Sequence, residues 1–160
     1  MGRLFTRFSV GVAMCALTLA PAVCAQSLQM TRADSTVATR AAAQIATLLH
    51  VSINVKEHET PARFDGVPLS AALKLAGVEI GKGPQLTLAL LVEAADGYKV
   101  LFALAELDPA FATREILLAD KRDGKPLDDK QGPFRIVAPG DKRPARWIRE
   151  GTTLKIVPVK

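Results

Sequence analysis

The chain has 160 residues, 49% of them hydrophobic and 23% charged, with a formal net charge of +5 and two cysteines. That length suits one domain with a single core. The modest basic excess, interleaved with acidic residues, argues against a nucleic-acid partner. Cys15 and Cys24 both lie near the N-terminus, so the rest of the chain has no disulfide and no thiolate chemistry.

Arg3 and Arg7 precede a short apolar run at residues 10–20, VGVAMCALTLA. Val23 and Ala25 then place small residues at the −3 and −1 positions of a cleavage site before Gln26, which reads as a secretory signal over residues 1–25. The run is too short to span a bilayer comfortably, and Pro21-Ala22-Val23 is a poor lead into Cys24 for a lipoprotein. An N-terminal anchor is the alternative. The expected product is a periplasmic or secreted protein with no membrane span after cleavage, and with both cysteines and two positive charges removed.

Residues 26–38 are polar without a clear period and read as a flexible leader, with residues 39–160 as one domain. Residues 39–49 (TRAAAQIATLL) are Ala-rich and predict a short helix. Residues 51–55 alternate apolar and polar, a strand with one buried face. A turn at residues 58–61 leads to a short strand over 62–65, and Asp65-Gly66 reads as a further turn. Pro68 stands at a helix start, Leu69, Leu73 and Ala76 have helical spacing, and Gly77 is placed as a C-cap.

Residues 85–94 form a nearly continuous apolar run, and Asp96-Gly97 separates it from a second strand at 98–104. This is a hairpin signal, expected at the centre of the sheet. A helical turn over 105–111 follows, then a strand at 116–119 and a turn at Asp123-Gly124. The last strands are expected over 134–138 and 153–159. The reading is a strand-rich α+β domain, a mixed sheet with a few short helices. FDGVPL (64–69) and RDGKPL (122–127) share D-G-x-P-L, and read as two equivalent loops.

In order, FDGVPL with its following helix, ADGY (95–98), LAELDP (104–109), ILLADKRDGKPL (116–127), GPFRIVAPG (132–140) and RWI (146–148) form a set. Together they resemble the oxidoreductase molybdopterin-binding domain, the sulfite oxidase fold, in its small stand-alone exported versions. The resemblance covers residues 51–159. It implies a pocket for the pterin dithiolene and phosphate of the molybdenum cofactor. It also implies a metal-ligating cysteine on the strand before FDGVPL.

Here that strand, residues 51–55 continuing into Lys56-Glu57-His58, has no cysteine, and Asn54 or His58 is a poor substitute for a soft thiolate. Enzymes loaded in the cytoplasm leave folded behind a twin-arginine signal, whereas Arg3 and Arg7 are not adjacent. No cofactor is therefore expected, although the resemblance itself implies molybdopterin.

Lys142, Arg143 and Arg146 surround Pro144 and form a candidate anion or phosphate site, with Arg122 and Lys125 on a facing turn. The alternative is a solvated basic loop paired with Asp141 and Glu150. Trp147 reads as a core plug and Tyr98 as a cross-strand packing residue. His58 reads as a surface turn, with His50 on the other side of a strand. The aspartates read as turn formers rather than catalytic pairs. No catalytic residue and no metal ligand is assigned.

The function that results is a non-catalytic exported binding or accessory module, binding a small anionic ligand or a periplasmic protein through residues 141–149. The alternatives are a molybdenum-cofactor oxidoreductase of sulfite oxidase type and a structural subunit of a periplasmic redox system.

Overall fold

Leu28 and Met30 alternate with polar neighbours, the period of a half-buried strand, and both are buried in β1 (Ser27–Thr31). The computed structural model describes residues 27–159; the expected signal segment lies outside them. A turn with Ser35 at φ 65° returns the chain into β2 (Val37–Ala41), antiparallel to β1. The expected flexible leader is thus corrected: its described part is the first hairpin of the fold. The Ala-rich segment 39–49 is helical only over α1 (Ala42–Ile45), because residues 39–41 are held in the ladder with β1.

The chain next forms β3 (Val51–Glu57) and β4 (Thr60–Pro68), joined at His58 and Glu59. Both have positive φ, 47° and 68°, as a two-residue turn matching the strand twist requires. β4 is longer than the strand expected at 62–65 and absorbs Asp65-Gly66, which lies opposite a bulge at Asp120 and is not a turn. A Cβ on Gly66 would sit 2.3 Å from the Leu118 carbonyl oxygen. Glycine is needed there for close approach of two strands rather than for chain reversal.

α2 (Leu69–Leu75) follows Pro68, buries Leu69, Ala72 and Leu73, and ends before Gly77 at φ 79°, as its sequence predicts. β5 (Leu88–Ala94) and β6 (Lys99–Ala103) make the expected hairpin. Then come β7 (Leu117–Arg122), β8 (Lys125–Pro126), β9 (Arg135–Val137) and β10 (Gly151–Pro158). Single 3-10 turns cover Gly83–Thr87, Leu104–Leu107 and Pro144–Arg146.

One sheet has the order β2-β1-β10-β5-β6, with β1 and β10 parallel and every other pair antiparallel. The second is antiparallel, β3-β4-β7-β8, with β9 also on β7. The β5–β6 hairpin therefore lies at a sheet edge, not at the centre, because β10 takes the other side of β5. The two D-G-x-P-L segments are likewise not equivalent, since one runs through a strand and the other makes a turn. They are, however, neighbours: the Asp123 amide donates to the Arg63 carbonyl at 2.8 Å, and the Arg63 amide donates to Asp123 Oδ1 at 2.9 Å.

The core joins Phe64, Leu69, Leu73 and Leu117 to Leu90, Phe102 and Leu154 of the first sheet. Trp147 belongs to it as expected, 5% exposed. Its Nε1–H donates to the Ala138 carbonyl at 2.8 Å, and its ring meets Phe64 edge-on at 6.1 Å.

Candidate functional site

The alternation that puts Val51, Ile53 and Val55 on the inner face of β3 also turns its last residue, Glu57, inward, where it is 7% exposed. A carboxylate taken from water there needs partners. It has two. Arg135 of β9, 2% exposed, donates its Nη2 to Glu57 Oε1, and Arg122 at the end of β7 approaches Glu57 Oε2 at 3.0 Å. Gln131 Oε1 accepts from Arg135 Nη1 at 2.8 Å. Both guanidiniums also lie over Phe64, Arg135 at 5.1 Å and Arg122 at 5.6 Å from the ring centre, which adds cation–π attraction.

Glu57, Arg122, Gln131 and Arg135 line a cleft of about 310 Å³ together with His58, Thr60 and Arg149. Arg149 is exposed and has no carboxylate partner among the described residues. The walls thus carry three guanidiniums against one carboxylate, and Asp123, outside them, lies 3.5 Å from Arg122 Nε. Burial on its own would raise the Glu57 carboxyl, but the Arg135 hydrogen bond and the charges of Arg135, Arg122 and Arg149 together hold it below its ordinary value. Arg135 is lowered from its ordinary value, first by burial, which Glu57 only partly offsets, and then by repulsion from Arg149 and Arg122. Arg135 Nε is enclosed and has no hydrogen-bond partner. Surplus guanidinium charge around an open cleft is what a small oxyanion neutralises.

Arg149 also borders a second cavity of about 390 Å³, with Lys130, Tyr98, Pro144 and Ala145. Tyr98 is 51% exposed and donates its hydroxyl to the Ala145 carbonyl at 3.0 Å, so it braces a loop rather than packing across strands as expected.

The loop singled out in the sequence is different. Arg146 donates Nε and Nη2 to the two Asp141 oxygens at 2.9 and 2.6 Å, and its Nη1 lies 3.2 Å from Glu106 Oε2. Its guanidinium lies 4.7 Å from the Phe102 ring centre. The Asp141 hydrogen bonds, opposed by burial and helped by Glu106, raise its pKa further above an already high value. Lys142 and Arg143 are exposed, as is Lys125 on β8. Of the five residues expected to form one basic cleft, the structure places only Arg122 in the arginine cleft. Arg122 and Arg146 have different carboxylate partners, and of the two carboxylates expected to neutralise the loop only Asp141 does so; Glu106 takes the place of Glu150.

No protein-family model matches this chain, and no curated protein matches it. Among solved structures it is similar to the sulfane dehydrogenase SoxCD from Paracoccus pantotrophus, with a TM-score of 0.65 at 18% identity. The match covers 84% of this chain and 38% of that one. The fold is of the sulfite oxidase type.

That fold carries with it the question of a molybdenum cofactor, and the donor set answers part of it. No described residue is a cysteine, and the buried polar residue of β3 is Glu57, already committed to two arginines. A hard carboxylate held by guanidiniums is not the soft thiolate such a metal takes from protein. β3 therefore does not fit a molybdenum–thiolate centre.

Glu57, Thr60, Gln131 and Arg135 are the cleft residues that the sequence reading missed, whereas Arg149 ends the expected binding surface at 141–149. One signal was available: Arg135 is the single charge inside the apolar stretch FRIVA. A buried charge in a strand of that kind needs a partner from elsewhere.

Proposed function

We propose that this chain is an exported, non-catalytic binding module that keeps the sulfite oxidase fold and captures a small oxyanion in the Arg122–Arg135–Arg149 cleft. The observation that carries this reading is the imbalance of that cleft, whose walls hold three guanidiniums and one carboxylate. Phosphate, sulfate and carboxylate share the needed geometry, and the guanidinium fork suits all three. The ligand enters from the solvent side, where Arg149 is exposed, and meets the buried Arg135 at the base.

The rival enzyme reading, a molybdenum-cofactor oxidoreductase, is disfavoured by the donor set of β3. Stoichiometric molybdenum in protein purified from its native compartment would restore it. The other rival is a structural subunit of a periplasmic redox system, and it needs no free anion.

Calorimetric titration with inorganic phosphate, and separately with sulfate, tests the proposal. One site per chain is expected, with affinity reduced at least about tenfold in Arg149→Ala, a loss of about 1.4 kcal/mol. Absent binding, or unchanged binding in Arg149→Ala, would retire the reading. A partner captured equally well by wild type and Arg149→Ala would favour the subunit reading.

A further inference from the structure

β3 is an edge strand of the antiparallel sheet, with β4 on its other side. Arg63 of β4 shows which backbone groups of β3 are left free. The Arg63 N–H donates to Asp123 Oδ1 at 2.9 Å and its C=O accepts from the Asp123 amide at 2.8 Å, so both turn away from β3. Arg63 stands opposite Asn54, and that pair therefore exchanges no ladder hydrogen bonds. Antiparallel alternation gives Ser52 and Lys56 the same state; Pro61, which has no N–H to give, stands opposite Lys56. Ser52, Asn54 and Lys56 thus direct their N–H and C=O groups outward, and none of these groups has a hydrogen-bond partner among the described residues.

Little in β3 closes this edge. It has seven residues, no proline and no register shift, whereas the edge strands β2, β6, β8 and β9 have five, five, two and three residues. Short length, prolines and bulges are the usual protections of an exposed edge; β3 has only the charge of Lys56 and, at its end, the inward Glu57. The strand is also complementary to itself. An antiparallel copy turned about a two-fold axis at Asn54 sets Asn54 against Asn54, Ser52 against Lys56 and Ile53 against Val55, so that every outward N–H meets a C=O. Ile53 and Val55 are only half-buried, and in this register each covers the open side of the other. Lys56 is exposed, held only by Glu59 at 4.0 Å. The same register brings it onto the row of the other copy that holds Ser52 and the carboxylate of Asp65, which uses Oδ1 for Ser52 and Arg63.

We infer that β3 pairs with β3 of a second copy of this chain, antiparallel about Asn54, and joins the two antiparallel sheets into one. A single ladder of this length is a small interface, so the dimer is weak and reversible, with a dissociation constant on the order of 10–100 μM. The outward groups that pair belong to residues 52–56 and the arginine cleft begins at Glu57, so phosphate binding and dimer formation are independent.

Sedimentation equilibrium over concentrations that bracket this constant should show monomer and dimer in exchange. Amide hydrogen exchange then reads the register. Ser52, Asn54 and Lys56 should gain protection as the concentration rises, while Ile53 and Val55, bonded to β4, are protected throughout. Asn54→Pro removes an N–H that β4 does not use and should abolish the dimer. Asn54→Asp sets like charges against each other at the axis and should weaken the dimer about fivefold, whether or not the proline disturbs β3. Leu101→Asp, at an exposed position of the β6 edge, should change nothing. A protein monomeric at every concentration, a dimer whose Ser52, Asn54 and Lys56 amides exchange freely, or a dimer weakened by Leu101→Asp and untouched by both Asn54 variants would overturn the inference. Protection of those amides only when another polypeptide is added would also overturn it, and would assign the edge to a foreign strand.

Discussion

Two arginine-bearing regions of this chain differ in what surrounds them. Arg146 has two carboxylates, Asp141 and Glu106, to itself. Arg135 shares Glu57 with Arg122, which also lies 3.5 Å from Asp123, and, through space, with Arg149. The first cluster is neutralised and holds a loop to the β5–β6 sheet edge. The second is over-supplied with positive charge and keeps a donor unfilled. Density of basic residues along a chain is therefore a poor guide to an anion site. The ratio of guanidiniums to carboxylates in space decides it, because an arginine with a bidentate partner has already spent its fork geometry.

The sharpest way to break this contrast is Glu57→Ala. It leaves Arg135 buried beside two other cations, and unfolding by denaturant should show a loss of about 3–5 kcal/mol. Inorganic phosphate should recover part of that loss, since it binds the folded state alone. Acid gives a gentler version of the same change. Glu57 is held below its ordinary value of 4.5, so its contribution is complete above that value and is lost as the pH falls through the lower folded value. The stability of Glu57→Gln should accordingly fall less steeply than that of wild type below about pH 4.5.

Gly66→Ala probes the scaffold beneath the cleft. Its Cβ would meet the Leu118 carbonyl at 2.3 Å and the Ala119 Cα at 2.5 Å. Separating β4 from β7 should cost about 3 kcal/mol in the same denaturation experiment. Arg146→Ala, on the neutralised side, should cost only about 1 kcal/mol, because its ion pairs are partly solvated. It should leave phosphate affinity unchanged. Lys142→Ala and Arg143→Ala are smallest, each within about 0.5 kcal/mol.

The contrast also explains which parts of the molecule could be read in advance. The β5–β6 hairpin follows from an apolar run and a D-G turn, and α2 follows from Pro68 and Gly77; in both cases the cause lies within a few residues. The β1–β2 hairpin was hidden because only Leu28, Met30 and Ala38 mark it, within a polar segment. Ala-rich residues 39–41 favour helix locally, but the ladder with β1 overrides that preference. Asp65-Gly66 looks like a turn because the reason for Gly66 lies on another strand.

The site was less readable still. Glu57 and Arg135 are 78 residues apart, and nothing local to either one reveals the other. The basic loop at 142–146 drew attention because its charges are adjacent, yet Glu106, which helps neutralise it, comes from 40 residues away. Fold identity survived these errors, since the ordered set of turns and strands does not depend on them.

One measurement addresses the contrast directly: a phosphate titration followed at the arginine Nε–H resonances of the ¹⁵N-labelled protein at constant ionic strength. Arg135, Arg149 and Arg122 should shift together and saturate with one midpoint, while Arg146 stays fixed. Saturable shifts at Arg146, with Arg135 and Arg149 unmoved, would contradict the assignment of the anion site to the arginine cleft.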